Sequence, residues 1–252
     1  MKNEAAIFWL AVQFLTRLPT PASDLYTPER LAASVRYYPL VGAVVGGLCA
    51  GVYWACALVL PGPLPALIAV AAGLLATGGF HEDGLADTLD GVGGGATRAD
   101  VLRIMRDSRI GAYGALALII VIPMKIAALS ALPVALACGA LIAGHALSRL
   151  SAVLVVASSR YVRDEGVGKP VADGVSKRGL AVVVATGAVV AAAWLAVWPP
   201  VSLAAGALGL AVGHAAMRAL FERKIGGYTG DALGAVQQTS ETLFYVGLAA
   251  WI

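Results

Sequence analysis

Charged residues along this 252-residue chain fall in clumps separated by long apolar runs. No Asp, Glu, Lys or Arg stands from Tyr37 to His81, from Ile126 to Ser148, from Gly179 to Met217, or after Glu241. Gly111 to Met124 extends the second of these gaps upstream. Crossing the hydrocarbon core of a bilayer takes about 20 apolar residues, and on that length the pattern predicts seven spans. They run Leu40–Leu60, Ala66–Phe80, Ala112–Leu132, Val134–Ala157, Gly179–Val197, Val201–Leu220 and Leu233–Trp251. Ahead of them, Ala5 to Leu15 reads as a short interfacial helix with Phe8, Trp9 and Phe14 at headgroup depth. The expected fold is all-α, a polytopic membrane helical bundle forming one integral-membrane catalytic domain over residues 1–252.

The linkers orient it. One set, around Pro61-Gly62-Pro63-Leu64-Pro65, Pro133 and Trp198-Pro199-Pro200, is short, proline-marked and uncharged. The other carries the cations, in Arg17 to Arg36, Arg98 to Arg109, Arg160 to Arg178, and Arg223-Lys224. The two sets alternate strictly along the seven spans. Lys and Arg accumulate on the cytoplasmic side, so the reading is a multi-pass protein of a bacterial inner membrane with its polar machinery facing the cytoplasm. That one-sidedness favours an enzyme drawing on cytosolic substrates over a transporter, which needs polar access from both faces.

Composition agrees. Charged residues make up 13% of the chain and hydrophobic ones 59%, with a mean hydropathy of +0.81, whereas a soluble domain carries about a quarter charged residues. Lipid is the natural solvent. Cys49, Cys56 and Cys138 lie inside apolar segments without metal-ligand spacing and read as small buried hydrophobes. The N-terminus has no small-residue cleavage site. No nucleotide-loop, zinc or G-x-S-x-G pattern is present, and nothing supports nucleic-acid binding.

The segment Gly78 to Gly95 is the most informative. Asp83, Asp87 and Asp90 stand at i, i+4 and i+7, one stripe of a helix. Three like charges at a membrane boundary are costly unless a cation neutralises them, and hard oxygen donors suit Mg²⁺ or Mn²⁺; the bland alternative is a solvated acidic face. In Arg103-Ile104-Met105-Arg106-Asp107-Ser108-Arg109, Arg103 and Asp107 at i, i+4 suggest a salt bridge that leaves Arg106 and Arg109 for an anionic ligand. Asp231 opens the last span and is the candidate to complete a metal site from a second helix, with Gln238 two turns on and Gln237 and Glu241 on an adjacent stripe. Helix capping by Thr229 or Asp231 is the structural alternative. Gly144-His145-Ala146-Leu147-Ser148-Arg149 and Gly213-His214-Ala215-Ala216-Met217-Arg218 share a G-H-A-x-x-R pattern. Arg149 is expected to face the bundle interior, and His145 and His214 to bond between helices. Lys125, within or near a span, either pairs with an acid or serves a substrate.

Four blocks carry a resemblance. Phe14-Leu15-Thr16-Arg17-Leu18-Pro19, then HEDGLADTLDG from His81, RIMRDSRIGAYG from Arg103 and GYTGDALGAVQQTSE from Gly227 stand in the order and spacing of the cobalamin synthase (adenosylcobinamide-GDP ribazoletransferase) family. The chain resembles that family over nearly its whole length. The resemblance implies the joining of adenosylcobinamide-GDP to α-ribazole or its 5′-phosphate, with release of GMP and a divalent metal, Mg²⁺ or Mn²⁺. On that expectation Asp83, Asp87, Asp90 and Asp231 hold the metal, Arg106 and Arg109 clamp phosphate oxygens, and Glu82 or His81 is the base. Arg17, Arg103, Arg149, Arg218, Gln238 and Glu241 are the expected substrate contacts. Whether the chain works alone or as a homo-oligomer leaves no mark in the sequence. A CDP-alcohol phosphotransferase, the nearest rival, requires an Arg where Asp87 follows Ala86 and a different Asp spacing.

Overall fold

The structure is a computed structural model that describes residues 2–21, 26–163, 171 and 174–252; parts of two basic linkers lie outside the described residues. Among the described residues eleven α-helices follow one another: α1 (Lys2–Leu15), α2 (Pro28–Ser34), α3 (Tyr38–Ala57), α4 (Leu64–Thr77), α5 (Phe80–Gly94), α6 (Arg98–Ile104), α7 (Ala112–Ala131), α8 (Val134–Ser158), α9 (Lys177–Leu195), α10 (Pro200–Ile225) and α11 (Gly230–Trp251). Among the described residues no strand forms, only a single bridge between Tyr161 and Tyr228. The fold is the expected polytopic helical bundle.

Five of these helices, among the described residues, are long and apolar enough to cross a bilayer by themselves: the run Pro28–Ala57, then α7, α8, α9 and α10. Two of the seven expected spans differ. Ala66–Phe80 falls on α4, a helix of 14 residues, about 21 Å at 1.5 Å per residue and short of a core about 30 Å thick. It meets α5 at an angle of 88°, and only the bent pair together qualifies as a sixth span. The bend is made by Gly78 and Gly79, both at φ +68°, a left-handed conformation that costs glycine little. The last expected span, on α11, is long enough at 22 residues but is too polar to pass as lipid-facing; its polar face turns inward.

Close backbone approach assembles the bundle. α3 packs most extensively on α8, and α10 on α11. A Cβ added at Gly42 or Gly46 would strike carbonyls of α8, and one at Gly209 or Gly213 would strike carbonyls of α11, so small residues set these spacings. α8 is the central helix, while α7, α9 and α10 present Ile119, Val189 and Leu208 outward, the apolar surface expected toward lipid. The amino-terminal helix is packed into the protein rather than floating at its edge. Ala11, Val12 and Leu15 join the main core, Phe14 stacks on Tyr38 and Phe8 meets Tyr37 edge to face.

Candidate active site

The turn at Gly78–Gly79 throws α5 across the bundle and into α11. The two helices touch backbone to backbone. A Cβ at Gly84 would stand 2.8 Å from the carbonyl oxygen of Asp231, and one at Gly234 would stand 3.0 Å from that of His81. Glycine at the crossing therefore serves helix approach, and it brings Asp83 and Asp87 of α5 beside Asp231 of α11. Asp87 lies in the field of Asp231, Asp83, Arg163 and Asp90. Thr229 caps α11 by accepting from the amide of Ala232 at 3.2 Å, so Asp231 is released from that duty. Its partner is Arg163, at 2.7 Å. Arg163 was hidden in the sequence among linker cations; nothing in the local pattern singles it out.

Asp83 and Asp87 line a cavity of about 910 Å³, together with Arg17, Phe80, Glu82 and Ser108 among others, and Asp231 stands outside its lining. It is an open bowl between the end of α1, the α4–α5 turn and the start of α7. Of the residues expected to contact substrate, Arg17 is on this wall. Among the described residues, no three His, Cys, Asp or Glu side chains are gathered closely enough to close on one metal ion.

Other candidates lie elsewhere. Asp90 is buried, and its two oxygens accept from the amides of Gly111 at 2.7 Å and Gly114 at 2.8 Å. It caps the start of α7 from another helix, where anionic charge is favoured. Asp90→Ala should lower stability by about 2 kcal/mol, from the loss of two charge-assisted hydrogen bonds, seen as a lower thermal midpoint in detergent. An unchanged midpoint would refute the capping role. Arg103 does not reach Asp107, because α6 ends at Ile104 and the helical spacing is lost; Arg103 lies 3.5 Å from Asp100 instead. Asp107 pairs with Arg109 at 2.7 Å, whose hydrogen bond holds the Asp107 carboxyl down at about 2. Arg106 and Arg109 are exposed on the α6–α7 connection, off the bowl's wall. Arg218 bonds Glu222 and Ser158 on the α8–α10 side, away from the bowl, where α10 turns that face. His214 bonds Ser151 at 2.8 Å across α10 and α8.

Beneath the bowl sits a buried polar network. Lys125 donates to Gln238 Oε1 at 2.6 Å and to Glu241 Oε1 at 2.7 Å. Glu241 also meets His145 at 3.2 Å and accepts from Gln237 at 2.5 Å. Gln238 Nε2 donates to Glu82 Oε1 at 2.8 Å. An ammonium offers donors only, so Lys125 fixes the Gln238 amide with its NH₂ aimed at Glu82. Glu82 lines both the bowl and the inner cavity of this network, whereas His81, 5% exposed, lines two inner cavities and not the bowl. Arg149 is interior as expected, bonded to the carbonyl of His145 at 3.0 Å. Gln238, Glu241 and Arg149 thus support the site from within rather than from the bowl's surface.

A family model described as cobalamin-5-phosphate synthase matches residues 7–249. The chain is 43% identical over 257 residues to the adenosylcobinamide-GDP ribazoletransferase of Shewanella woodyi, covering 98% of this chain and 97% of that one. Identity to the protein of the same name in Leptothrix cholodnii is 44% over 256 residues, and to that in Ralstonia nicotianae 43% over 263 residues, with at least 97% of each chain covered. No solved structure matches.

Proposed function

This chain belongs to the cobalamin-5-phosphate synthase family, and from that premise we propose that it joins adenosylcobinamide-GDP to α-ribazole, or its 5′-phosphate, on the cytoplasmic side of an inner membrane. A ribazole hydroxyl attacks the phosphorus nearer the cobinamide. A phosphodiester forms, the diphosphate bond breaks, GMP leaves, and the hydroxyl proton is lost to a base. The observation that carries this reading is the pair Asp83 and Asp87 on the wall of a bowl large enough for a bulky diphosphate, with the charge of Asp231 acting on both from behind.

The donor set fits a divalent cation. Asp83 and Asp87 are hard oxygen ligands on the bowl's wall; no third acid closes with them on one ion among the described residues, and Mg²⁺ is commonly shared between a few carboxylates and substrate phosphates. Such an ion would neutralise charge developing on the phosphate oxygens. Glu82 is the base: its Oε1 is held by Gln238 while its Oε2 has no hydrogen-bond partner among the described residues. Arg17 is the wall's cation for phosphate oxygens, and Arg106 and Arg109 stand on the neighbouring connection to meet the departing GMP.

Purified protein in bilayers should release GMP from adenosylcobinamide-GDP only when ribazole and Mg²⁺ are both supplied. Release that ignores ribazole would overturn the assignment; release undiminished by chelator would remove the metal from it. A second variant probes the crossing. Gly84→Ala places a methyl against the Asp231 backbone, which cannot swing aside. The displaced carboxylates should cost about a hundredfold in kcat, with the protein still folded by gel filtration. Wild-type turnover in this variant would show that the α5–α11 spacing is immaterial.

A further inference from the structure

Beside the bowl lies a second, narrower cavity that the reaction scheme leaves unused. It holds about 60 Å³ among α1, α3, α5, α8 and α11. Aromatic rings of Phe14, Tyr38, Phe80, Tyr161 and Tyr228 form much of its lining. Tyr161 and Tyr228 meet edge to face with centroids 5.4 Å apart, and the bridge between their strands of chain holds them there through Val162 and Arg160. Three polar groups on this lining are buried without a hydrogen-bond partner among the described residues, the hydroxyls of Tyr38 and Tyr228 and the Arg149 Nε. The deepest are those of Tyr228 and Arg149, residues 1% and 2% exposed. A buried donor left unmade costs about 1–3 kcal/mol, so an acceptor arriving here gains more than it would at the surface. Phe14 and Phe80 line both this cavity and the acidic bowl, their rings 5.7 Å apart.

We propose that this aromatic cavity receives the base of ribazole, a flat methylated benzimidazole, so that the attached ribose stands at the carboxylates of the bowl. The assignment rests on the function proposed above. Its chemistry follows from the lining. A benzimidazole buries apolar rings and methyl groups, which aromatic walls favour by area and by edge-to-face geometry. Its one unsubstituted ring nitrogen is an acceptor, for which the Tyr228 hydroxyl and the Arg149 Nε are donors. Guanine, the base of the departing nucleotide, presents a donor- and acceptor-rich edge that these walls would leave unpaired, and sites reject ligands on that ground by large factors. The corrinoid is far too large for the cavity and belongs to the bowl. As it stands the cavity is smaller than the roughly 150 Å³ that admits benzene, so ring entry requires the shared wall to open. Phe80, 44% exposed and directly after the Gly78–Gly79 turn, is the wall residue with room to swing outward.

The test is equilibrium binding of labelled α-ribazole to the full chain in bilayer discs, without adenosylcobinamide-GDP. Ala152→Phe fills the cavity from α8 and should weaken ribazole binding more than about tenfold, while Tyr228→Phe, which removes one oxygen, should weaken it roughly three- to tenfold. Adenosylcobinamide-GDP binding should stay within about twofold of the parent. Free dimethylbenzimidazole should compete with the label, and guanosine should not. Parent-like ribazole binding in Tyr228→Phe, or competition by guanosine equal to that by dimethylbenzimidazole, would overturn the proposal even if Ala152→Phe failed to fold. If the parent binds ribazole and releases GMP while the variants are indifferent, only the cavity assignment falls. If the parent shows neither binding nor ribazole-dependent release, the proposed function falls with it.

Discussion

Asp83→Ala and Asp87→Ala should each cut ribazole-dependent GMP release by about a thousandfold or more, with the protein still inserted and folded. The size follows from the charge problem. Attack on a diphosphate concentrates negative charge on oxygens that are already anionic, and a bound cation supplies several kcal/mol of stabilisation there. About 4 kcal/mol is a thousandfold in rate. Folding should survive because Asp83 is exposed and Asp87 only half-buried, so truncation opens no core cavity. Asp90 provides the contrast, since its carboxylate is spent on the amides of Gly111 and Gly114. The measurement is single-turnover GMP release at saturating Mg²⁺, beside a thermal midpoint for each variant. Near-normal rates in either Asp83→Ala or Asp87→Ala would sink the metal assignment for that residue.

The second large effect is on stability. Lys125 and Glu241 are 4% and 1% exposed and form an ion pair inside the bundle. Removing one member of a buried pair strands the other charge, at a typical cost of about 3–5 kcal/mol. Lys125→Met should therefore lower the thermal midpoint by roughly 10 °C. It also releases the Gln238 amide, so the Glu82 carboxylate loses its fixed donor and kcat should fall in the molecules that remain folded. Replacing both partners, Lys125→Met with Glu241→Leu, should recover much of the stability and none of the lost rate. If Lys125→Met melts with the parent, the pair is not holding α7 to α11.

Much of this was legible because it is local. Apolar runs, uncharged proline turns and the i, i+4, i+7 acids depend only on neighbours in the chain, and they gave the helical bundle, the short first helix and the carboxylate stripe of α5. The four motif blocks gave the family, which the full-length match bears out. Legibility failed where an answer needed a partner far away in sequence. Lys125 could not be assigned until α11 was laid against α7 and supplied Glu241 and Gln238. Arg163 reads as one more linker cation until its loop is tied to the start of α11, where it meets Asp231. Arg103 with Asp107 looked like a helical pair, but α6 stops at Ile104.

By itself, then, the sequence determined the solvent, five of the seven spans, the family and the helix face that carries the acids, because hydropathy, helical period and motif order are properties of the chain alone. The division of labour among those acids was decided by tertiary structure. An 88° turn at two left-handed glycines, and a crossing close enough to exclude any Cβ at Gly84, set Asp83 and Asp87 against Asp231. The same packing gave Asp90 to the start of α7, and turned His81 inward while Glu82 reached the bowl. A carboxylate's role depends on which donors and cations surround it, and those surroundings exist only once the helices have met.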